Sequence, residues 1–326
     1  MTLKFKNVYL KSVYTVAGPE EERGLLTNID YTFSDFYATK KSIEKAESHL
    51  AFVSMKGAIA KAGIKSTNID LLLAGDLLNQ ITASTYAAKR LEIPYFGLFT
   101  ACATNSQAFI IAASMISSKL INNALCTVSS HNLVAEKQFR YPNEYGGPKP
   151  KSASYTTTAG TSAILTNEKT KIKITSGTMG KVIDLGIKNP FEMGAAMAPA
   201  AADTIVNHLN NLNELPEDYD LIITGDLASV GTDVFKAYMK KVYKLNLKNH
   251  RDAGMLIYTK DQPVYSGASG PAVLPLYVYS EIIPKLKDKT YKKVLLVATG
   301  ALHSPIMVNQ KLPIPGIAHV ITLEAV

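Results

Sequence analysis

One pattern occurs twice in this chain: an aspartate, four residues that are apolar or nearly so, then Gly-Asp-Leu. It runs from Asp70 to Leu77 and again, 150 positions later, from Asp220 to Leu227. Each copy follows a helix-like segment and a short polar linker, Lys65–Asn68 in the first and Glu217–Tyr219 in the second. A second pair supports the first, since Ala124–Asn132 and Val294–Ser304 are apolar stretches that end in small polar residues and a histidine. Self-similarity at fixed spacing is the mark of a duplicated unit. Two copies of one βα-rich unit therefore meet near residue 170, giving halves of about 1–170 and 171–326 within a single domain.

Short, continuously apolar runs at Leu71–Ala74, Tyr95–Phe99, Leu125–Ser129, Leu221–Thr224 and Leu295–Ala298 read as strands covered on both faces. Ser42 is placed to cap a helix that reaches about Ala62, with Gly63 as its terminator. The segment from Cys102 to about Ser118 is apolar nearly all round, which predicts a helix buried between layers. Pro199 suits the first turn of a helix running to Leu212. Strands alternating with helices in two similar halves predict a layered α/β/α/β/α sandwich.

With 47% hydrophobic residues and 326 positions, the chain can bury a large core, and its composition is that of a soluble globular protein. The net charge of +8 favours anionic partners. Its densest lysines, Lys236 to Lys248 and Lys285 to Lys293, read as solvated faces, because no nucleic-acid-binding signature accompanies them. Two cysteines, Cys102 and Cys126, are too few for a disulfide framework, and the N-terminus has no secretory signal pattern, so a reducing compartment is expected. No apolar run is long enough to span a bilayer.

The sharpest candidate for chemistry is Gly97–Ser106, where a strand delivers Cys102 to the start of the buried helix. A helix N-terminus offers free N–H groups and partial positive charge, which lowers a thiol's pKa and favours anions. The plain alternative is a small buried cysteine; the strand-to-helix position argues for function. Ala101-Cys102-Ala103-Thr104, entering such a helix, resembles the nucleophile segment of thiolases and ketoacyl-carrier-protein synthases, and the two-fold repeat is a hallmark of that family. The resemblance implies a thiolase-like five-layered sandwich. It also implies a helper histidine and asparagine from the second half. Aligned by the repeat, those positions fall on Gly225 and Ala268, neither of which has a polar side chain. Condensation or thiolysis is therefore not expected.

A narrower resemblance rests on the stretches at 73–80, 129–132, 136–150, 193–205, 224–231 and 297–305, which are similar to the stage V sporulation protein AD family of spore-forming bacteria over essentially the whole chain. That resemblance implies binding of dipicolinic acid (pyridine-2,6-dicarboxylate) and a part in its uptake into the developing spore. It further implies a peripheral place on the spore inner membrane, membrane-embedded partners of the same operon, a homodimer, and no cofactor. A flat dianionic ring needs donors for each carboxylate and an apolar or aromatic wall for its faces. Arg140 can fork onto a carboxylate, and Tyr141 or Tyr145 can lie against the ring; the same loop can equally serve a dimer contact.

His131 and Asn132 end a strand on the side where Cys102 should open, and His303 and Ser304 take what reads as the symmetric place in the second half. His319 is a weaker candidate of the same kind, while His49, His208 and His250 read as structural. Asp76 and Asp226 are repeat-related carboxylates best read as acceptors of N–H bonds at helix starts, since two such residues do not make a metal cage. Besides a binding protein on a decayed enzyme scaffold, two other classes stay open: an acyltransferase that uses Cys102 with unusual helpers, and a structural subunit of a membrane complex.

Overall fold

The computed structural model describes residues 1–139 and 149–326. In the first half, strands form at β1 (Tyr9–Ala17), β2 (Leu71–Gly75), β3 (Tyr95–Gly97), β4 (Asn123–Ser130) and β5 (Ala159–Thr166). The second half contributes β6 (Ile172–Met179), β7 (Leu221–Thr224), β8 (His250–Asp252), β9 (Lys293–Ala301) and β10 (Gly316–Ala325). The strands lie in the order β3-β2-β4-β5-β1 in one half and β8-β7-β9-β10-β6 in the other, which is the same order twice. In each half the first three are parallel and the last two antiparallel. The halves join where Tyr9 of β1 pairs with Lys173 of β6. The duplication read from the two Gly-Asp-Leu segments is thus a duplication of topology.

Helices supply the other layers. They are α1 (Ile43–Lys61), α2 (Thr82–Ala88), α3 (Thr104–Ser117), α4 (Asn132–Phe139), α5 (Met193–Leu212), α6 (Ala228–Tyr238) and α7 (Val273–Tyr277). Helix α1 covers β1, β4 and β5, and α5 covers β9 and β10 with α6 packed on it. Helix α3 touches both halves of the sheet, β4 and β5 on one side and β9 and β10 on the other. The layering is therefore helix, sheet, helix, sheet, helix, as the alternation in the sequence predicts.

Helix α3 can occupy the middle because Ala108, Phe109, Ile110, Ala112, Ala113 and Ile116 are all buried and the remaining face, with Gln107, Ile111, Ser114 and Met115, is still partly covered. Each large apolar side chain buried this way stabilises the fold by about 1.5–3 kcal/mol. The Ser42 hydroxyl accepts the Lys45 N–H, and Gly63 takes a φ of 67° just past the helix end, as expected for α1. The long lysine-bearing segment from Lys236 onward is mostly exposed.

Three expectations change. Tyr95–Phe99 yields only the short β3, at the edge of the sheet with Phe96 and Phe99 about half exposed rather than covered on both faces. Helix α5 starts at Met193, so Pro199 lies inside it rather than at its head. Burial of every residue from Ala195 to Ala202 holds the preceding turns helical although Pro199 has no N–H to offer the Ala195 carbonyl. Strands β1, β5, β6 and β10 also lacked a signal in the apolar runs. Strand β5 is rich in threonine and serine and buried throughout, β10 is interrupted by His319, Thr322 and Glu324, and β1 and β6 carry partly exposed lysines, Lys11 and Lys173, so no continuous apolar run marks them. Among the described residues, no helix is long and apolar enough to cross a membrane.

Candidate functional site

Strand β3 ends at Gly97, and the chain turns through Thr100–Ala103 into α3. Ala101 has a φ of 48°, in the left-handed region that a Cβ disfavours. Thr104 holds this turn: its Oγ1 accepts the Thr100 N–H at 3.1 Å and donates to the Ala101 carbonyl at 2.7 Å. The second half presses against it through Gly300 of β9. A Cβ on Gly300 would stand 2.5 Å from the Thr100 carbonyl oxygen and 3.0 Å from the Ala103 nitrogen, so only glycine permits the approach. The turn therefore presents Cys102, half-buried, at the seam between the halves.

Across the seam is Asp226, which is 2% exposed. Its Oδ1 accepts from the Thr299 hydroxyl at 2.8 Å, and its Oδ2 accepts from the Gly270 N–H at 3.0 Å and the Ser269 hydroxyl at 3.2 Å. Gly270, with a φ of 117°, adopts the conformation that aims this N–H. The Cys102 thiol faces the same carboxylate in the cavity they both line. Burial raises the carboxyl's pKa, and these donors hold it back in part. The thiol's pKa is pushed well above the usual range, first by burial and then by the Asp226 charge and hydrogen bond. The expected lowering at a helix N-terminus is overturned. An adjacent carboxylate and burial outweigh a partial dipole charge.

The repeat-related Asp76 behaves differently. It caps its own helix start, accepting the Leu78 N–H at 2.9 Å and the Ser84 N–H at 2.7 Å, as read from the sequence. In the second half Asp252 takes that duty, with the Leu227 N–H at 3.1 Å and the Ala228 N–H at 2.9 Å. Asp226 is thereby freed to face Cys102. Burial and the neighbouring Asp226 charge raise Asp252 to about 8. Strand pairing shows why the halves differ: Thr224 lies beside Asp252, whereas the equivalent Ala74 lies beside Gly97. An aspartate in one copy against a glycine in the other is a sequence signal for an asymmetric site.

Cys102 opens on a cavity of about 150 Å³ with apolar walls from Phe99, Phe139, Phe191 and Met197. Its polar lining is Thr156, Asp226, Ser269 and His303 besides the thiol, and none of the described lining residues is Lys or Arg. A wider space of about 390 Å³ adjoins it, sharing Leu77, Phe99, Phe139 and His303 and adding Ser304. The His303 ring leans on Phe139, with centroids 5.4 Å apart.

Of the residues singled out in the sequence, the structure brings Cys102, His303 and Ser304 to this pair of cavities. His131 and Asn132 are not in either lining. The His131 Nε2 bonds to the Phe36 carbonyl at 2.7 Å, and the Asn132 N–H donates to the Thr158 hydroxyl at 3.0 Å. Nor is His131 the counterpart of His303. Leu71 pairs with Ala124 and Leu221 with Val294, so His131 corresponds to Ala301. Arg140, Tyr141 and Tyr145 lie outside the described residues, immediately after Phe139 in the chain. On the far side, Lys149 pairs with Glu136 at 2.7 Å. His208 bonds to Thr178 and His250 to Thr224, both as structural residues, and His319 accepts the Gly180 N–H. Both cysteines are free, and among the described residues no cluster of His, Cys, Asp and Glu could hold a metal ion.

Known structures share the architecture. The 3-oxoacyl-[acyl-carrier-protein] synthase III of Aquifex aeolicus VF5 aligns with a TM-score of 0.60 at 13% identity, over 97% of this chain and 99% of that one. A variant of OleA from Xanthomonas campestris aligns at 0.65 and 14% identity, over 99% and 98%. At such identities the likeness establishes the fold, which is thiolase-like, and nothing about chemistry. Sequence similarity is closer elsewhere. The Stage V sporulation protein AD of Bacillus subtilis (strain 168) is 44% identical over 319 residues, covering 97% of this chain and 94% of that protein. A family model described as Stage V sporulation protein AD matches residues 1–324. The chain belongs to the stage V sporulation protein AD family.

Proposed function

We propose that this protein binds dipicolinic acid, as the free acid or its calcium chelate, and assists its uptake into the developing spore, on a condensing-enzyme scaffold that no longer runs a reaction. The observation that carries the reading is the cavity at Cys102. A cavity of about 150 Å³ is the size that takes one benzene-like ring, and this one has three phenylalanine walls and a polar end. Loss of chemistry is supported by the residues around it. Acyl transfer needs a thiolate and oxyanion donors, whereas burial and the facing Asp226 carboxylate hold the Cys102 thiol protonated. Gly225 and Ala268 offer no side-chain donor, and a Cβ at Gly225 would already sit 3.0 Å from the Thr299 Oγ1.

The membrane side of the proposal is a peripheral place on the spore inner membrane, as a homodimer held by membrane-embedded proteins of the same operon. Calorimetric titration with dipicolinate and its calcium chelate tests the binding. Saturable heat at one site per chain is expected, and no heat at millimolar ligand sinks it. One observation favours the acyltransferase alternative: Cys102 and His303 line the same cavity. Incubation with acyl-CoA and intact-mass measurement decides it, because a Cys102 adduct that forms and turns over makes the protein an enzyme.

A further inference from the structure

Asp226 brings negative charge into a cavity that we read as an acid-binding site, and the groups facing it do not offset that charge. The head of α3 presents the Cys102 thiol, β9 presents the Thr299 hydroxyl, and the turn before α7 presents Ser269 and the Gly270 N–H. The end of β8 adds a second buried acid, Asp252, and past β9 His303 lines the same cavity. Helix α5 faces the cavity with Met193 and Met197, and α7 opens with the buried, apolar Val273 and Leu274. Apart from His303, which can carry a positive charge, the described groups that can ionise here are acids. A carboxylate ligand entering this space meets like charge in a poorly solvated setting. Such pairs are stable when they share a proton.

We propose that Asp226 makes acid binding in this cavity proton-linked: the carboxyl takes one proton from solvent as the ligand enters and donates it in a hydrogen bond to the ligand carboxylate. This rests on the reading that the cavity takes a dicarboxylate. The local geometry permits the change. The Ser269 hydroxyl and the Cys102 thiol are rotatable donors, so the carboxyl can accept a proton while the bonds from Gly270 and Thr299 stay in place. Burial already favours the protonated form of Asp226, so the uptake is small in cost. The arrangement selects ligands with an acceptor carboxylate at this end of the cavity and a flat apolar body against the phenylalanines.

The test is calorimetric titration of the full chain with pyridine-2,6-dicarboxylate in buffers of different ionisation heat, at several values between about pH 6 and pH 8. Uptake of about one proton per ligand is expected, with affinity falling by up to about tenfold per pH unit as pH rises. Asp226→Asn should abolish the uptake, flatten the pH dependence and bind at least as tightly as the wild type at the alkaline end; Asp252→Asn should retain the uptake. Measurable binding with no buffer dependence in the wild type overturns the inference and leaves the binding reading standing. Binding of no form at any pH overturns both. Should Asp226→Asn lose its fold by circular dichroism, His303→Gln decides, because uptake retained without that imidazole leaves Asp226 as its source, and uptake lost assigns it to His303 and overturns the inference.

Discussion

Replacing Asp226 by asparagine removes the charge that faces the Cys102 thiol while keeping the side chain's size. Two unit charges at about 4 Å in a setting of effective dielectric about 20 interact by about 4 kcal/mol. For a thiolate against the carboxylate this is an upper bound, because Cys102 is half-buried and solvent screens part of it. At about 1.4 kcal/mol per tenfold, the substitution should speed thiol alkylation between about ten- and a thousandfold near pH 8. Burial, the larger cause of the thiol's suppression, is unchanged by Asp226→Asn, so full free-thiol reactivity should not return. The assay is iodoacetamide labelling followed by intact mass from about pH 6 to pH 10, with Cys102→Ala as the blank. Cys126 is wholly buried and should stay unlabelled in the folded protein. The wild-type rate should keep climbing past the pH at which an ordinary thiol, near 8.5, levels off. A wild-type rate equal to that of a free thiol, or no acceleration in the variant, refutes the claim that Asp226 helps hold the Cys102 thiol protonated.

Gly300→Ala should cost at least about 2 kcal/mol in urea unfolding, because its Cβ lands 2.5 Å from the Thr100 carbonyl; a loss under about 0.5 kcal/mol contradicts the packing of β9 on the Cys102 turn. Gly225→Ala should cost less, about 1 kcal/mol, since the Thr299 hydroxyl 3.0 Å away can yield a little. Gly225→His combined with Ala268→Asn should not restore condensation, measured as product from acyl-CoA, because Asp226 still faces the thiol. Glu21 is wholly buried and raised by that burial from 4.5 to about 7. The folded state binds this proton more tightly than the unfolded chain, so its contribution is intact below about 4.5 and is lost as pH rises through about 7. Glu21→Gln should remove up to about 3 kcal/mol of that pH dependence; a profile as steep as the wild type's would assign the dependence to other groups.

The frame of the molecule is legible in the sequence because duplication and burial both leave local marks. Asp70–Leu77 and Asp220–Leu227 fix where two equivalent strands lie, and the all-round apolarity of α3 fixes its place between sheets. Strand β5 escapes because a strand buried on both faces tolerates threonine and serine, and β6 and β10 because polar residues interrupt their apolar runs, among them Ser176 and Thr322, whose hydroxyls pair across the strands. The start of α5 is missed because Pro199 suits a first turn locally, while burial of its neighbours decides the matter. At the site, Cys102 is marked by its strand-to-helix junction. The role of Asp226 depends on Asp252, 26 residues on, taking over a cap, which no local pattern reveals. Symmetry is an incomplete guide for the same reason: it pairs Asp76 with Asp226 correctly, yet the two carboxylates do different work.

The central question is whether the cavity beside Cys102 holds a flat dicarboxylate without reacting with it. A crystal structure grown with dipicolinate answers this directly. Expected are one ring between Phe99, Phe139 and Phe191, a carboxylate beside Asp226, and an unmodified Cys102 sulfur. A ligand bound elsewhere with this cavity closed, or a covalent adduct on Cys102, contradicts this expectation.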